Sequence, residues 1–219
     1  MPLKAAVIPV TPIQQNCALI WDDATMQAAV VDPGGDVPRI LEAIGTLKLQ
    51  VGLILLTHGH IDHAGGAAEL RDALPGVELL GPDERDAFLL DGLVEAGRQY
   101  GIVGARAVRP DRWLREGEHV MLGTHRFDVL HTPGHTPGHV VFVQRQAGFA
   151  LVGDVIFQGS VGRTDFAYGD GPALLRSIRD KVMPLGDAMA FLCGHGPGST
   201  LGMERQANPY VREALALQG

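Results

Sequence analysis

The chain has 219 residues, a formal net charge of −7, 46% hydrophobic and 20% charged residues: the balance of a soluble globular protein, not of a basic nucleic-acid binder. No apolar run approaches the ~18 residues of a membrane span, and the N-terminal MPLKAAVIPVTPIQQNC lacks the apolar core of a signal peptide. One cytoplasmic domain over residues 1–219 is expected, with no membrane partner and with Cys17 and Cys193, which match no zinc or redox spacing, as reduced thiols.

In chain order, residues 5–9, 16–21 and 28–32 read as short strands broken by Thr-Pro, Asp-Asp and Pro-Gly-Gly. Residues 38–47 have helical spacing, with Ile40, Leu41 and Ile44 on one side. The continuous apolar run 51–56 reads as a buried strand ending in Thr57-His58. A helix is expected over 62–74 with Asp62 as its cap, then a strand over 77–80. Residues 84–100 are helical in pattern and expected to pack outside the core. Strands follow at 119–122, 126–131, 140–144 and 149–152, then a helix over 170–182, a strand over 188–192 and a closing helix over 209–217. No linker or low-complexity stretch interrupts the chain. Two roughly similar halves of mixed strands and helices predict an α+β fold: two packed sheets with helices outside.

Four places share one pattern, in which an apolar strand ends, glycine follows or intervenes, and a His or Asp appears. LILLTHGHIDH supplies His58, His60, Asp62 and His63, DVLHTPGHTPGH supplies His135, ALVGD supplies Asp154, and AFLCGH supplies His195. Strand ends gathered at one edge would point these side chains into one cleft. A catalytic zinc takes about three protein ligands and leaves a position for water. Five histidines and two aspartates exceed that, and fit two metals sharing one carboxylate. No ordinary core needs so many histidines at strand ends.

The chain resembles the metallo-β-lactamase superfamily, whose signature is H-x-H-x-D-H followed by isolated His, Asp and His. The resemblance covers nearly all of it and implies an αββα sandwich with the site at one edge. Carried over by position, His58, His60 and His135 hold the first metal, Asp62, His63 and His195 the second, and Asp154 bridges. GDVIFQGSVGRTDFAYGD (153–170) and ERQANPYV (204–211) resemble the glyoxalase II group of hydroxyacylglutathione hydrolases, in its short bacterial form without the C-terminal helical domain. The GRTDF stretch also resembles the related persulfide dioxygenases.

Two divalent cations less the charges of Asp62, Asp154 and a hydroxide leave a net positive centre, suited to an anionic tetrahedral intermediate. The expected nucleophile is a metal-bound hydroxide, with Asp62 the catalytic residue nearest it. Zinc is the first expectation, and the imidazole and carboxylate donors also admit iron or manganese. The expected activity is hydrolysis of S-lactoylglutathione or a related small S-acyl thiol conjugate. The alternative is an iron-dependent persulfide dioxygenase using His58, His135 and Asp154. A lactonase, and a nuclease disfavoured by the acidic balance, complete the field.

Arg163, Asp165, Tyr168, Arg205 and Asn208 are the candidate substrate contacts; an Arg163–Asp165 ion pair fixing its loop is the plainer reading. Phe166 and Tyr168 either wall a pocket or pack. His119 and His125 read as surface or turn residues, His131 as a structural hydrogen-bonding group, His139 as packing in preference to orienting a ligand, and Cys193 as an apolar strand position. Thr57 is expected to satisfy backbone groups beside the site.

Overall fold

A computed structural model of the protein describes residues 3–217. The first sheet contains β1 (Leu3–Val10), β2 (Gln15–Asp22), β3 (Gln27–Val31), β4 (Gln50–Leu55) and β5 (Glu78–Leu80), in that order. The second runs β13-β12-β9-β8-β7-β6, built from β6 (His119–Leu122), β7 (His125–His131), β8 (Val140–Gln144), β9 (Phe149–Leu151), β12 (Ala190–Leu192) and β13 (Ser199–Thr200). A small hairpin, β10 (Ile156–Phe157) with β11 (Ser160–Val161), stands apart. The helices are α1 (Val37–Leu47), α2 (Ile61–Ala64), α3 (Ala67–Ala73), α4 (Ala87–Asp91), α5 (Leu93–Tyr100), α6 (Gly171–Ser177), α7 (Leu201–Ala207) and α8 (Pro209–Ala216).

Side-chain alternation in the strands builds the layers. In β2, Cys17, Leu19 and Trp21 join α1 and α3 in an outer core, whereas Ala18 and Ile20 face the second sheet. In β8, Val140 and Phe142 meet them there, while Val141 and Val143 turn to the outer core shared with α6, α7 and α8. A strand buried on both faces reads as continuously apolar, as β8 does; β4, expected buried over 51–56, is buried only towards its end at Ile54 and Leu55, while residues 51–53 are partly exposed. Three apolar layers thus separate helices, sheet, sheet and helices, the αββα order expected.

Several expected boundaries shift for local reasons. The helix expected over 62–74 is two: it breaks at Gly65-Gly66, where the Pro33-Gly34-Gly35 turn presses in and the Gly66 N–H donates to the Pro33 carbonyl at 2.8 Å. His60, with extended backbone, occupies the cap position of α2, so Asp62 lies in the first turn and is not its cap. The 84–100 segment is a 3₁₀ turn, Glu84–Asp86, followed by α4 and α5 with a break at Gly92, and Leu90 and Leu93 join the core instead of lying outside it. Asp170 caps α6 through a 2.8 Å bond from the Ala173 N–H, and the helix then widens into a π turn, Ile178–Val182. No helix is long and apolar enough to cross a membrane among the described residues.

Two parallel pairings position the site. β3 runs parallel to β4 with Val31 beside Leu55, and β9 runs parallel to β12 with Leu151 beside Leu192. Parallel neighbours end at the same edge, so Asp32 and Thr57, and likewise Asp154 and His195, emerge side by side. The Val140 N–H donates to the Thr57 carbonyl at 2.8 Å and the Asn16 N–H to the Gly194 carbonyl at 2.8 Å, which ties the two sheets together at that edge.

Candidate metal centre

All seven expected ligands converge at this edge. His58 Nε2 lies 3.1 Å from His60 Nδ1, and His135 Nε2 lies 2.9 Å from the same atom. Opposite them, His195 Nε2 is 3.1 Å from Asp62 Oδ2, and His63 Nε2 is 3.5 Å from that oxygen. Asp154 stands between the groups: Oδ1 is 3.3 Å from His63 Nε2, and Oδ2 is 3.5 Å from His135 Nε2 and 3.7 Å from His195 Nε2. His58, His63, His135, Asp62 and Asp154 are buried, while His60 and His195 are half-buried and face the cleft.

Burial pushes His58 well below the usual imidazole range and His60 down to about 3, with the neighbouring imidazoles adding to both. Burial also lowers His135, partly offset by Asp154. These three are neutral and present lone pairs. Burial works the same way on His63, but Asp154, Asp62 and Asp32 outweigh it and hold that group above the usual range. At His195, too, burial is outweighed, here by the Asp62 hydrogen bond and Asp154, so its pKa is raised. Burial would lift the Asp154 and Asp62 carboxyls, but His63 foremost keeps both below the usual carboxylate range.

The donor set fits divalent cations. Among the described residues, His63 Nε2 and Asp154 Oδ1 are buried atoms without a hydrogen-bond partner, and they face each other across the centre. Uncompensated buried polar atoms are costly, and a cation that displaced the His63 proton would satisfy both. The atoms fall into overlapping groups, His58–His60–His135, His58–His63–Asp154 and Asp62–His63–His195, each with donors within 4.8 Å of one another.

A further set of side chains holds the centre in place. Asp32 accepts from the Thr57 N–H at 2.8 Å and the Thr57 hydroxyl at 2.7 Å, and lies 2.9 Å from His63 Nδ1. Asp32 escaped the sequence reading, although VVDPGG repeats the pattern of strand end, acidic residue and glycine that marked the others. His139 is no mere packing residue: its Nε2 accepts the Asp154 N–H at 3.0 Å, and its Nδ1 lies 3.1 Å from the Thr132 hydroxyl. Asp86 accepts from the Gly59 N–H, the Gly138 N–H and the Thr136 hydroxyl, joining the two histidine loops; nothing in the sequence pattern signals it. Burial pushes the Asp86 carboxyl up to about 6 against those three bonds.

The substrate candidates divide. Arg163 and Tyr168 line a cleft of about 530 Å³ above the centre, together with Ile13, Leu89, Tyr100, Phe157 and Phe166. Arg163 is paired with Asp165 through two bonds of 2.7 and 2.8 Å, and Asp165 faces the neighbouring groove. The Tyr168 hydroxyl lies 2.9 Å from His60 Nε2, and burial lifts its pKa to about 12. Arg205 and Asn208 do not reach the cleft, a correction to the sequence reading. Arg205 bonds Asp187 at 2.7 Å, and buried Asn208 caps α8 while donating to the Phe157 and Ser160 carbonyls at 3.2 and 2.9 Å. His125, expected at the surface, is buried with Nε2 3.6 Å from Asp22, whereas His131 makes the expected structural bond, to the Pro137 carbonyl at 2.8 Å.

The Metallo-beta-lactamase superfamily model matches residues 10–195, which span every residue of this cluster. The chain belongs to the metallo-β-lactamase superfamily. Within that superfamily of metal-dependent hydrolases it is 46% identical over 210 residues to "Hydroxyacylglutathione hydrolase GloC" of Haemophilus influenzae, covering 95% of this chain and 98% of that protein. Among solved metallo-β-lactamase structures it is similar to the BLEG-1 B3 metallo-beta-lactamase, with TM-score 0.87 and 34% identity over 95% of this chain and 99% of that one. It is also similar to TTHA1623 in a di-iron-bound form, with TM-score 0.84 and 35% identity over 94% and 99%. ETHE1 from Myxococcus xanthus matches at TM-score 0.77 and 25% identity over 98% and 88%.

Proposed function

We propose that the protein is a binuclear metal-dependent thioester hydrolase acting on S-lactoylglutathione or related small S-acyl thiol conjugates. His58, His60 and His135 would hold one ion, Asp62, His63 and His195 the other, and Asp154 both. The observation that carries this reading is the double convergence on Asp154, whose two oxygens face different histidines, His63 and His135. The 46% identity to a hydroxyacylglutathione hydrolase supports the substrate class. Zinc is the proposed metal; the donor set is equally compatible with iron, which a relative at 35% identity holds as a pair.

Bound divalent cations supply a nucleophile from water at neutral pH and a positive field for the anionic transition state. The chain's own residues prepare the place for them. Neutral His58, His60 and His135 offer lone pairs without first losing protons. Asp32 and His139 fix His63 and Asp154 from behind, as orienting partners in metal sites do. Asp62, 3.1 Å from His195, lines the floor of the cleft in the second group, with His195 the more exposed of the two. The apolar wall of Ile13, Leu89, Phe157 and Phe166 limits bulk water around the thioester carbonyl. A thiolate leaves readily, so no strong general acid is required of the chain. Arg163 is the one guanidinium lining the cleft among the described residues, and it is already paired. A glutathione conjugate with two carboxylates therefore finds a single cationic partner, consistent with a high KM and tolerance of other thiols.

One preparation tests the reading under two atmospheres. Under nitrogen, the reconstituted protein should cleave S-lactoylglutathione to lactate and glutathione. Oxygen uptake with glutathione persulfide, dependent on iron and accompanied by no thioester cleavage with any metal, would replace the hydrolase with a persulfide dioxygenase.

A further inference from the structure

The imidazoles of the centre are held from behind in a consistent way. His63 Nδ1 meets the Asp32 carboxylate at 2.9 Å, and His135 Nδ1 meets the Arg163 carbonyl at 2.8 Å. His58 Nδ1 meets the Thr57 hydroxyl at 3.0 Å, whose hydrogen is committed to Asp32 at 2.7 Å. Each of these partners acts as an acceptor, so each fixes which ring nitrogen carries the proton.

His60 is inverted relative to the other members of its group. Its Nδ1, not its Nε2, faces the neighbouring nitrogens, at 3.1 Å from His58 and 2.9 Å from His135. Its proton must then sit on Nε2, and Nε2 points at the Tyr168 hydroxyl, 2.9 Å away. Among the described residues no carboxylate or carbonyl bonds that nitrogen. Tyr168 comes from the far side of the cleft, 108 residues along the chain. Its ring is fixed independently of the bond: it stacks on Phe166 at 5.2 Å and 10°, and takes the Phe88 ring edge-on at 5.3 Å.

We propose that Tyr168 is a positioning residue for His60: its hydroxyl oxygen accepts the Nε2–H and so holds the Nδ1 lone pair toward His58 and His135. The sequence suggested Tyr168 as a substrate contact; this role acts on the centre itself. It rests on the reading that His58, His60 and His135 hold a metal ion, and that dependence can be tested separately.

Tyr168→Phe keeps the stacked ring and removes only the oxygen. With the metal-free protein labelled with ¹⁵N-histidine, NMR should show His60 as a single Nε2–H tautomer in the wild type and as a mixture in the variant. Titration with zinc should show the first equivalent bound about 10- to 100-fold more weakly by the variant, the cost usual for losing an orienting partner. His60→Ala serves as the reference. If His60→Ala loses affinity while Tyr168→Phe retains both the wild-type tautomer and the wild-type affinity, the positioning role is overturned and the metal reading stands. If His60→Ala binds zinc as the wild type does, the metal reading itself fails.

Discussion

Gly194 sets how closely the centre can assemble. A Cβ at this position would collide with Asp154 Oδ1 and stand 2.5 Å from His63 Cε1, so no side chain fits between β12 and the two residues it must approach. Gly194→Ala is therefore expected to cost about 1–3 kcal/mol, as overpacking of a tight site does, and to lower metal content after reconstitution. A thermal melt read alongside elemental analysis checks both effects. Protonation gives a second prediction at this scale. His58 and His60 lie far below neutrality, so metal uptake by their group releases no proton from them between pH 6 and 8. His63 and His195 are held above their usual values by carboxylates and keep protons that a metal must displace. Affinity for the second equivalent should thus rise with pH, by about tenfold per unit for each proton released, while affinity for the first stays nearly flat. Calorimetric titration at several pH values separates the two, and equal pH dependence of both would contradict the assignment.

The short 3₁₀ turn Glu84–Asp86 matters more than its length suggests, because its last residue fastens the loop carrying His58 and His60 to the loop carrying His135. Asp86→Ala leaves three donors without their acceptor, at about 1–3 kcal/mol each where water cannot replace it. Loss of stability together with looser metal binding is expected, read by denaturant melts and zinc titration. The sign of the pH effect follows from the raised carboxyl. A group at about 6 when folded and near 3.8 when unfolded takes up a proton on folding between those values. Its contribution is present at the acid end and lost as pH rises through 6, by about 2–3 kcal/mol. Asp86→Asn does not titrate, so the stability difference between wild type and variant, measured on metal-free protein, should shrink from pH 4 to 6. Elements of this kind mark where sequence reading stops. Strands with continuous apolar runs and the density of THGHIDH are local signals, visible without a fold. Asp86, His139 and Tyr168 act across 50, 15 and 108 residues of sequence, through bonds that no local pattern encodes. The misplaced tail residues show the converse: Asn208 stands in a polar, charged-looking segment, yet its amide is spent on capping α8 and holding the β10–β11 hairpin.

At the scale of the whole molecule, the parallel pairs β3–β4 and β9–β12 explain why side chains from Asp32 to His195 meet at one edge. The alternation of core residues makes the sheets pack face to face, and hydrogen bonds from Asn16 and Val140 lock their ends in register. The same packing leaves one open side, walled by α4, α5 and the 157–168 segment. Because the exposed Arg163 side chain lines the cleft, and only the backbone carbonyl of that residue reaches a donor of the centre, His135, Arg163→Ala should raise KM severalfold for a carboxylate-bearing thiol with little change in kcat, the pattern of lost uniform binding. A matching fall in kcat would place Arg163 in the reaction itself. The central claim, two ions on one shared aspartate acting as a hydrolase, meets its most direct test in a single titration. Zinc is added to metal-free protein under nitrogen while S-lactoylglutathione cleavage is followed. The account predicts that the rate climbs until two equivalents per chain are bound and then stops rising. A plateau at one equivalent, or no cleavage at any metal content, would contradict it.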